Sequence, residues 1–229
     1  LGFMANALAS DFSMPFVNTA GLGVVYADWA TATEDASTSY TNPAGLASLK
    51  HGQFVVNALG IVGSSTFSGT STTPPFPFPF AVTQTGSSRS PIGGFLPSLY
   101  VAAPITDRAT FGFNVTAPFG LGTKYDTHAF TRYAATRSQV VGLDIGPSLG
   151  LKINDYLSIG AGFDALRLDF TLSNMYGPPL SFPADSALEN KLSGWGYGAH
   201  AGVLVKLPTK TKVGVSYYSK IAVDTYGFS

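Results

Sequence analysis

From about residue 51 onward the chain alternates apolar residues with polar or small ones, position by position. In the clearest stretch Val141, Leu143, Ile145, Pro147, Leu149 and Leu151 face Gly142, Asp144, Gly146, Ser148, Gly150 and Lys152. Trp195, Tyr197, Ala199, Ala201, Val203, Val205 and Leu207 repeat the pattern against Gly196, Gly198, His200, Gly202 and Lys206. Phe111, Phe113, Val115 and Ala117 do the same against Gly112, Asn114 and Thr116. Successive side chains of a strand point to opposite faces, so a two-residue period predicts half-buried strands. Seven are predicted, at 51–63, 95–104, 109–118, 138–153, 156–173, 192–207 and 211–224.

The connections alternate in length. Those at 105–108, 154–155 and 208–210 are tight, whereas 64–94, 119–137 and 174–191 are long. Outer-membrane barrels have short periplasmic turns and long extracellular loops, while a soluble β-sandwich keeps connections short at both ends. The pattern predicts an all-β protein, a transmembrane antiparallel β-barrel with its apolar face toward lipid. Pro97 and Pro147 interrupt predicted strands, and each lacks a ladder donor. In 156–173 the apolar phase moves from Leu157, Ile159, Ala161 and Phe163 to Leu166, Leu168, Phe170 and Leu172. A β-bulge near Ala165 would restore it and turn Asp164, Arg167 and Asp169 into the lumen.

Composition agrees with the membrane. Of 229 residues 45% are hydrophobic and 11% charged, against about 25% charged in ordinary soluble domains. No apolar run reaches the roughly 18–20 residues of a membrane helix. A closed barrel is the other structure that satisfies its backbone inside lipid. Thirteen basic residues balance thirteen acidic ones, so no electrostatic footprint for nucleic acid exists. The absence of cysteine excludes disulfides and thiolate metal sites. His51, His128 and His200 fall in separate elements without metal-binding spacing, and no nucleophile motif is present. Neither enzymatic activity nor a metal or cofactor is therefore expected. Leu1–Ala9 reads as the end of a secretory signal peptide, with an Ala-x-Ala cleavage pattern closing at Ala9. Seven is an odd number and single-chain bacterial barrels are even, so a fragment of a larger barrel is expected.

Residues 10–50 do not alternate. Ala27 to Ala36 can form a short helix, Asn42-Pro43 can start a turn, and Gly45 tolerates positive φ. The order Gly21-Leu22-Gly23, Tyr26-Ala27, Asp35-Ala36-Ser37, then Asn42-Pro43-Ala44-Gly45-Leu46 resembles the FadL family of outer-membrane long-chain fatty acid transporters. Ala117-Pro118-Phe119-Gly120-Leu121, the segment 157–164 and Val215-Ser216-Tyr217-Tyr218-Ser219-Lys220-Ile221 are similar to later family segments.

The resemblance implies a barrel of about fourteen strands, with residues 51–229 its first half. Residues 10–50 would be a hatch inside it, carrying Gly21, Gly23, Asn42, Pro43, Ala44, Gly45 and Leu46. It further implies a monomer in the outer membrane of a Gram-negative bacterium, whose partners are the lipid bilayer and hydrophobic small molecules. Ligand would be captured at an extracellular apolar groove, pass to a lumen pocket beside the hatch, and leave sideways into the membrane. Ala117 and Pro118 are the candidate for that lateral gate.

Each buried CH₂ of a ligand gains about 0.8 kcal/mol, about 12 kcal/mol for a sixteen-carbon chain, so selective uptake needs an apolar collecting surface. Phe76, Phe78 and Phe80, set between prolines in the first long loop, are candidates for it. They could equally pack beneath neighbouring loops. Asn114, Asp164, Arg167 and His200 are candidate lumen residues, Arg167 as a partner for a carboxylate. The family's carboxylate-binding arginine aligns near Asn174, where no cation stands. Uncharged aromatic or alkane hydrocarbons therefore remain open as substrates, as does a porin or structural barrel for other solutes. The inward glycines either make room for the hatch or relieve crowding in a curved sheet.

Overall fold

The computed structural model describes residues 19–23, 25–73, 82–176, 186–209 and 211–228. Two short helices, α1 (Thr19–Gly23) and α2 (Thr38–Thr41), and a 3-10 helix (Pro43–Ser48) precede the strands. These are β1 (Gln53–Thr73), β2 (Val82–Thr106), β3 (Ala109–Lys124), β4 (Arg137–Lys152), β5 (Leu157–Tyr176), β6 (Ser186–Lys206), β7 (Lys212–Tyr218) and β8 (Tyr226–Phe228). They form one antiparallel sheet in sequence order from β1 to β7, with β8 returning to β6. The sheet curls into a half-barrel around the helical segment, which lies on its inner face.

Alternation sorts the side chains as the pattern requires. Phe54, Phe95, Phe111, Phe163 and Tyr197 are exposed on the outer face, while Tyr100, Asn114, Asp144 and His200 are buried on the inner one. From Leu157 to Ala165 the outer face of β5 is apolar for nine residues, matching the 9–11 or so that a tilted strand needs to cross a bilayer. Phe163 stacks on Tyr197 at 5.9 Å near the upper end of this band.

Residues 27–36 form turns rather than the expected helix, the strand expected at 211–224 ends at Tyr218, and two larger expectations require correction. Within the segment expected as a loop at 64–94, residues 64–73 and 82–94 are strand, because β1 and β2 stay paired in unbroken register from Gln53↔Ala102 to Thr73↔Val82. Ser68–Ser87, Thr70–Thr85 and Thr72–Thr83 hydroxyl contacts stitch that extension. Its Ser/Thr-rich sequence lacks an apolar face because it stands above the lipid, which hid its strand character. Strands β3 and β5 likewise run on to Lys124 and Tyr176.

The second correction concerns Arg167. No bulge exists near Ala165: β5 pairs with β6 without a shift from Leu157↔Val205 to Tyr176↔Ser186. Paired residues share a face, so Asp164 opposite Gly198 points inward and Arg167 opposite Trp195 points outward. Arg167 lies 5.8 Å over the Trp195 ring and 3.1 Å from Asp169, and is therefore not a lumen residue. The phase change has a different cause. Once the strand rises out of lipid the outer face turns polar, and Leu166 and Leu168 take the inner face instead. A cation facing lipid costs about 2–4 kcal/mol at the midplane but about 0–1 at the interface, so Arg167 marks the upper edge of the band.

Candidate functional site

The plug begins at Asp35, whose carboxylate accepts from the Ser37 amide and hydroxyl at 2.8 and 2.5 Å. Asn42 then organises the turn. Its Oδ1 accepts from the Ala44 amide at 3.1 Å, capping the 3-10 helix that Pro43 opens with its preset φ. Its Nδ2 donates to Ala30 O at 2.6 Å and reaches Val203 O on β6 at 3.3 Å. Thr38 Oγ1 donates to Asn42 O at 2.7 Å. Gly45 packs so closely on Thr38 and Ala32 O that a Cβ would collide with both. Leu46, Leu49 and Ala36 bury themselves against Tyr100 and Ala102 of β2. Burial pushes the Tyr40 phenol well above its ordinary value, so it stays a neutral hydroxyl. Gly21 is buried and Gly23 exposed ahead of this turn.

The wall holds the plug mainly through β5 to β7. His200 Nε2 donates to Ser39 O at 3.0 Å, and its Nδ1 hydrogen-bonds the Asp164 carboxyl, 2.8 and 2.9 Å from its two oxygens. Both residues are almost wholly buried. Ser216 Oγ donates to Thr41 O at 2.9 Å, and the Tyr218 hydroxyl faces Thr41 O at 3.0 Å and also Tyr40 O. Lys206 Nζ donates to Ser48 Oγ at 2.7 Å. Glycines mark the closest approach. A Cβ on Gly150 would stand 2.5 Å from Pro43 O, and on Gly112 2.7 Å from Leu46 Cδ1. At Gly160, Gly202 and Gly214 it would collide with Pro43, Asn42 and Ala30. Gly60 and Gly63 on β1, by contrast, have no such neighbour.

Toward β3 and β4 the contacts differ. The Asn114 amide, Asp144 Oδ1 and Ser148 Oγ are buried under the plug yet make no hydrogen bond among the described residues. The plug's hydrogen bonds to the wall thus come mainly from β6 and β7, while on the β3 side the Tyr40 hydroxyl meets Thr116.

Above the plug the inner wall is apolar. Register places Phe119 level with Gly142 and Leu168, and Leu121 level with Val140, Phe170 and Leu192. Leu166 and Leu96 are buried on the same face. The inner face of β3 to β6 at and above this level carries no ionisable side chain among its described residues; Asp144 and the Asp164–His200 pair lie below it. This lining was missed in the sequence, although the phase change on β5 was its signal.

The wall is discontinuous beside this lining. β2 and β3 pair at Ile92↔Thr123 and again at Leu99↔Val115, with no pairs between. Pro97 and Pro118, each without a donor, lie inside the interruption. On its other edge β3 shifts register against β4 between Thr116 and Phe119, so Ala117 and Pro118 form a bulge. Leu96 covers the interruption by packing over Gly120, and a Cβ on Gly94 would lie 2.6 Å from Gly120 O. Further out, Phe130 of the 125–136 connection stacks on Phe67 at 5.8 Å. Phe76, Phe78 and Phe80 lie outside the described residues, as does the expected signal-peptide remnant at 1–9.

An apolar outer belt, a curled antiparallel sheet and a plug tied to its inner wall define a plugged outer-membrane β-barrel protein. The chain belongs to the outer membrane protein transport family (OMPP1/FadL/TodX), whose match spans residues 3–228. It is similar to outer membrane protein P1 of Haemophilus influenzae, 26% identical over 96% of this chain and 55% of that protein. The long-chain fatty acid transport protein of Salmonella typhi is 26% identical over 96% of this chain and 53% of its own length. The chain thus spans about half the length of the curated relatives it matches. Among solved structures, a FadL homologue of Pseudomonas aeruginosa superposes with a TM-score of 0.74 at 22% identity, covering 94% of this chain and 55% of that one. The toluene transporter TodX of P. putida gives 0.59 at 19%, covering 82% and 52%. At those identities the likeness is one of fold.

Proposed function

We propose that the complete barrel takes up hydrophobic compounds across the outer membrane, long-chain fatty acids foremost, and releases them sideways between β2 and β3. The observation that carries this reading is the apolar inner wall of Phe119, Leu121, Leu166 and Leu168 beside the unpaired stretch of β2 and β3. A polar solute gains nothing from such a wall, whereas each CH₂ moved onto it gains about 0.8 kcal/mol. In this reading Phe76, Phe78 and Phe80, with Phe67 and Phe130, collect ligand outside. The hatch residues Asn42, Pro43, Ala44, Gly45 and Leu46 obstruct the direct path to the periplasm. The Asn114 amide and Asp144 Oδ1, buried without hydrogen bonds among the described residues, let the plug shift on its β3 side while His200, Asp164, Ser216 and Tyr218 hold the other. Leu96 and the bulge at Ala117 and Pro118 form the lateral gate. The long-chain fatty acid transport proteins among the relatives support the substrate class.

The lack of a cation among the described residues of the apolar inner wall favours a second reading, an uncharged hydrocarbon, since Arg167 faces away from it. Fluorescence displacement on the full-length protein separates the two: a fatty acid that fails to bind where toluene binds selects the hydrocarbon. The gate is tested by Leu96→Cys with Gly120→Cys, bridged by a short reducible bis-thiol reagent. Residues 1–229 contain no cysteine. Uptake by cells carrying this variant should fall at least several-fold on bridging and return on reduction; an unchanged rate refutes the lateral route.

A further inference from the structure

The outer face above the apolar band carries a cationic patch unconnected with the lumen. Register aligns Lys124 of β3 with Arg137 of β4, Ser173 of β5 and Glu189 of β6 in one row. The row below holds Gly122, Gln139, Thr171 and Lys191. Beneath these Arg167 stands beside the exposed Trp195, at the upper edge of the lipid-facing belt. Paired residues of an antiparallel sheet share a face, so Lys124, Arg137, Arg167 and Lys191 all project outward. Between them the face carries Gly122, Thr171, Ser173 and Ser193, which are too small to cover the cations, and Gln139, whose Oε1 accepts from Arg137 at 2.5 Å. The carboxylates on it among the described residues are Asp169, 3.1 Å from Arg167, and Glu189, 2.6 Å from Lys191. Exposed ion pairs of this kind are weak, and guanidinium groups exchange readily to phosphate, which they bind in bidentate fashion.

We propose that this patch is a docking site for the phosphorylated sugar headgroup of the outer-leaflet glycolipid, lipopolysaccharide. Its position selects that occupant. The cations begin where the apolar belt ends, on the side of the long connections, so they meet the headgroup layer of the outer leaflet while Phe163, Trp195 and Tyr197 meet its acyl chains. Four cations against two carboxylates leave a positive surface facing a phosphorylated one. The patch lies on four adjacent strands within this chain, so the surface is complete without the remainder of the barrel.

Thermal unfolding of the detergent-purified full-length protein tests this. Lipid A should raise Tm, whereas dephosphorylated lipid A and inorganic phosphate at the same concentration should not. The variant Arg137→Gln/Arg167→Gln/Lys191→Gln should lose the shift. A variant that keeps the full shift overturns the proposal, as does an equal shift from dephosphorylated lipid A or from inorganic phosphate. Should the triple variant not fold, Asp169→Asn/Glu189→Gln serves instead: it should enlarge the lipid A shift, and an unchanged or smaller shift overturns the site. Fatty acid uptake does not depend on this face, so either proposal can fail alone.

Discussion

At Gly202 the wall and the plug touch so closely that one added methyl group would meet the Asn42 amide. Overpacking of a filled site costs roughly 1–3 kcal/mol, and here the strain would fall on the plug rather than on the strand ladder. Gly202→Ala should therefore leave the barrel assembled but loosen the plug, seen as greater ion leakage in a planar bilayer. Gly60→Ala, with open space around it, should behave as the wild type. Equal leakage from both would show that the glycine face does not seat the plug. The same reasoning separates Asp164 from Arg167. They lie three positions apart, yet opposite phases send Asp164 to the buried pair with His200 and Arg167 to the outer interface.

Among the elements, the connection at 125–136 behaves as part of the wall rather than a free loop. Its Tyr125 amide donates to Thr136 O at 2.7 Å, and the Met175 amide on β5 donates to Arg132 O at 2.8 Å. Phe130 lies over Gly86, where a Cβ would stand 3.1 Å from its ring, and stacks on Phe67. A stacked aromatic pair contributes about 0.5–1.5 kcal/mol beyond its buried area, so Phe130→Ala should raise local opening about tenfold, the equivalent of about 1.4 kcal/mol. Limited proteolysis within 125–136 should accelerate accordingly, with the strands protected. Unaltered cleavage would mean that the connection is held by its backbone bonds alone. The strand extensions above the membrane obey the same logic: serine and threonine ladders replace the apolar face once lipid no longer selects it.

Taken whole, the sheet ends in two edges, β1 and β7, each pairing on one side only. An unpaired edge offers free backbone donors and acceptors to other chains. Residues 1–229 produced alone should therefore associate into heterogeneous oligomers, read by size-exclusion chromatography, and should not give a heat-modifiable monomeric barrel on a gel. A stable monomer would contradict the reading that these edges need further strands. The outer belt and the internal plug also divide the molecule's chemistry: its upper cations on β3 to β6 face outward, and its buried carboxylates face in.

Much of this was legible in the chain itself. Two-residue alternation is a local property, so it located the membrane-level strands, their antiparallel order and the lipid-facing phase of residues such as Phe111 and Val203, but not the polar extensions of β1 and β2 or the short β8. The Asn42-Pro43-Ala44 turn was legible because its capping bonds join near neighbours. Three things were decided only by tertiary structure. Register across β5 and β6, which depends on hydrogen bonds between residues tens of positions apart, sent Arg167 outward. Packing of the plug against the wall joined His200 and Asp164 to Ser39, and fitted Gly112, Gly150 and Gly202 to its surface. The interruption between β2 and β3 arose from two prolines on different strands meeting at one level, a coincidence that no single segment records.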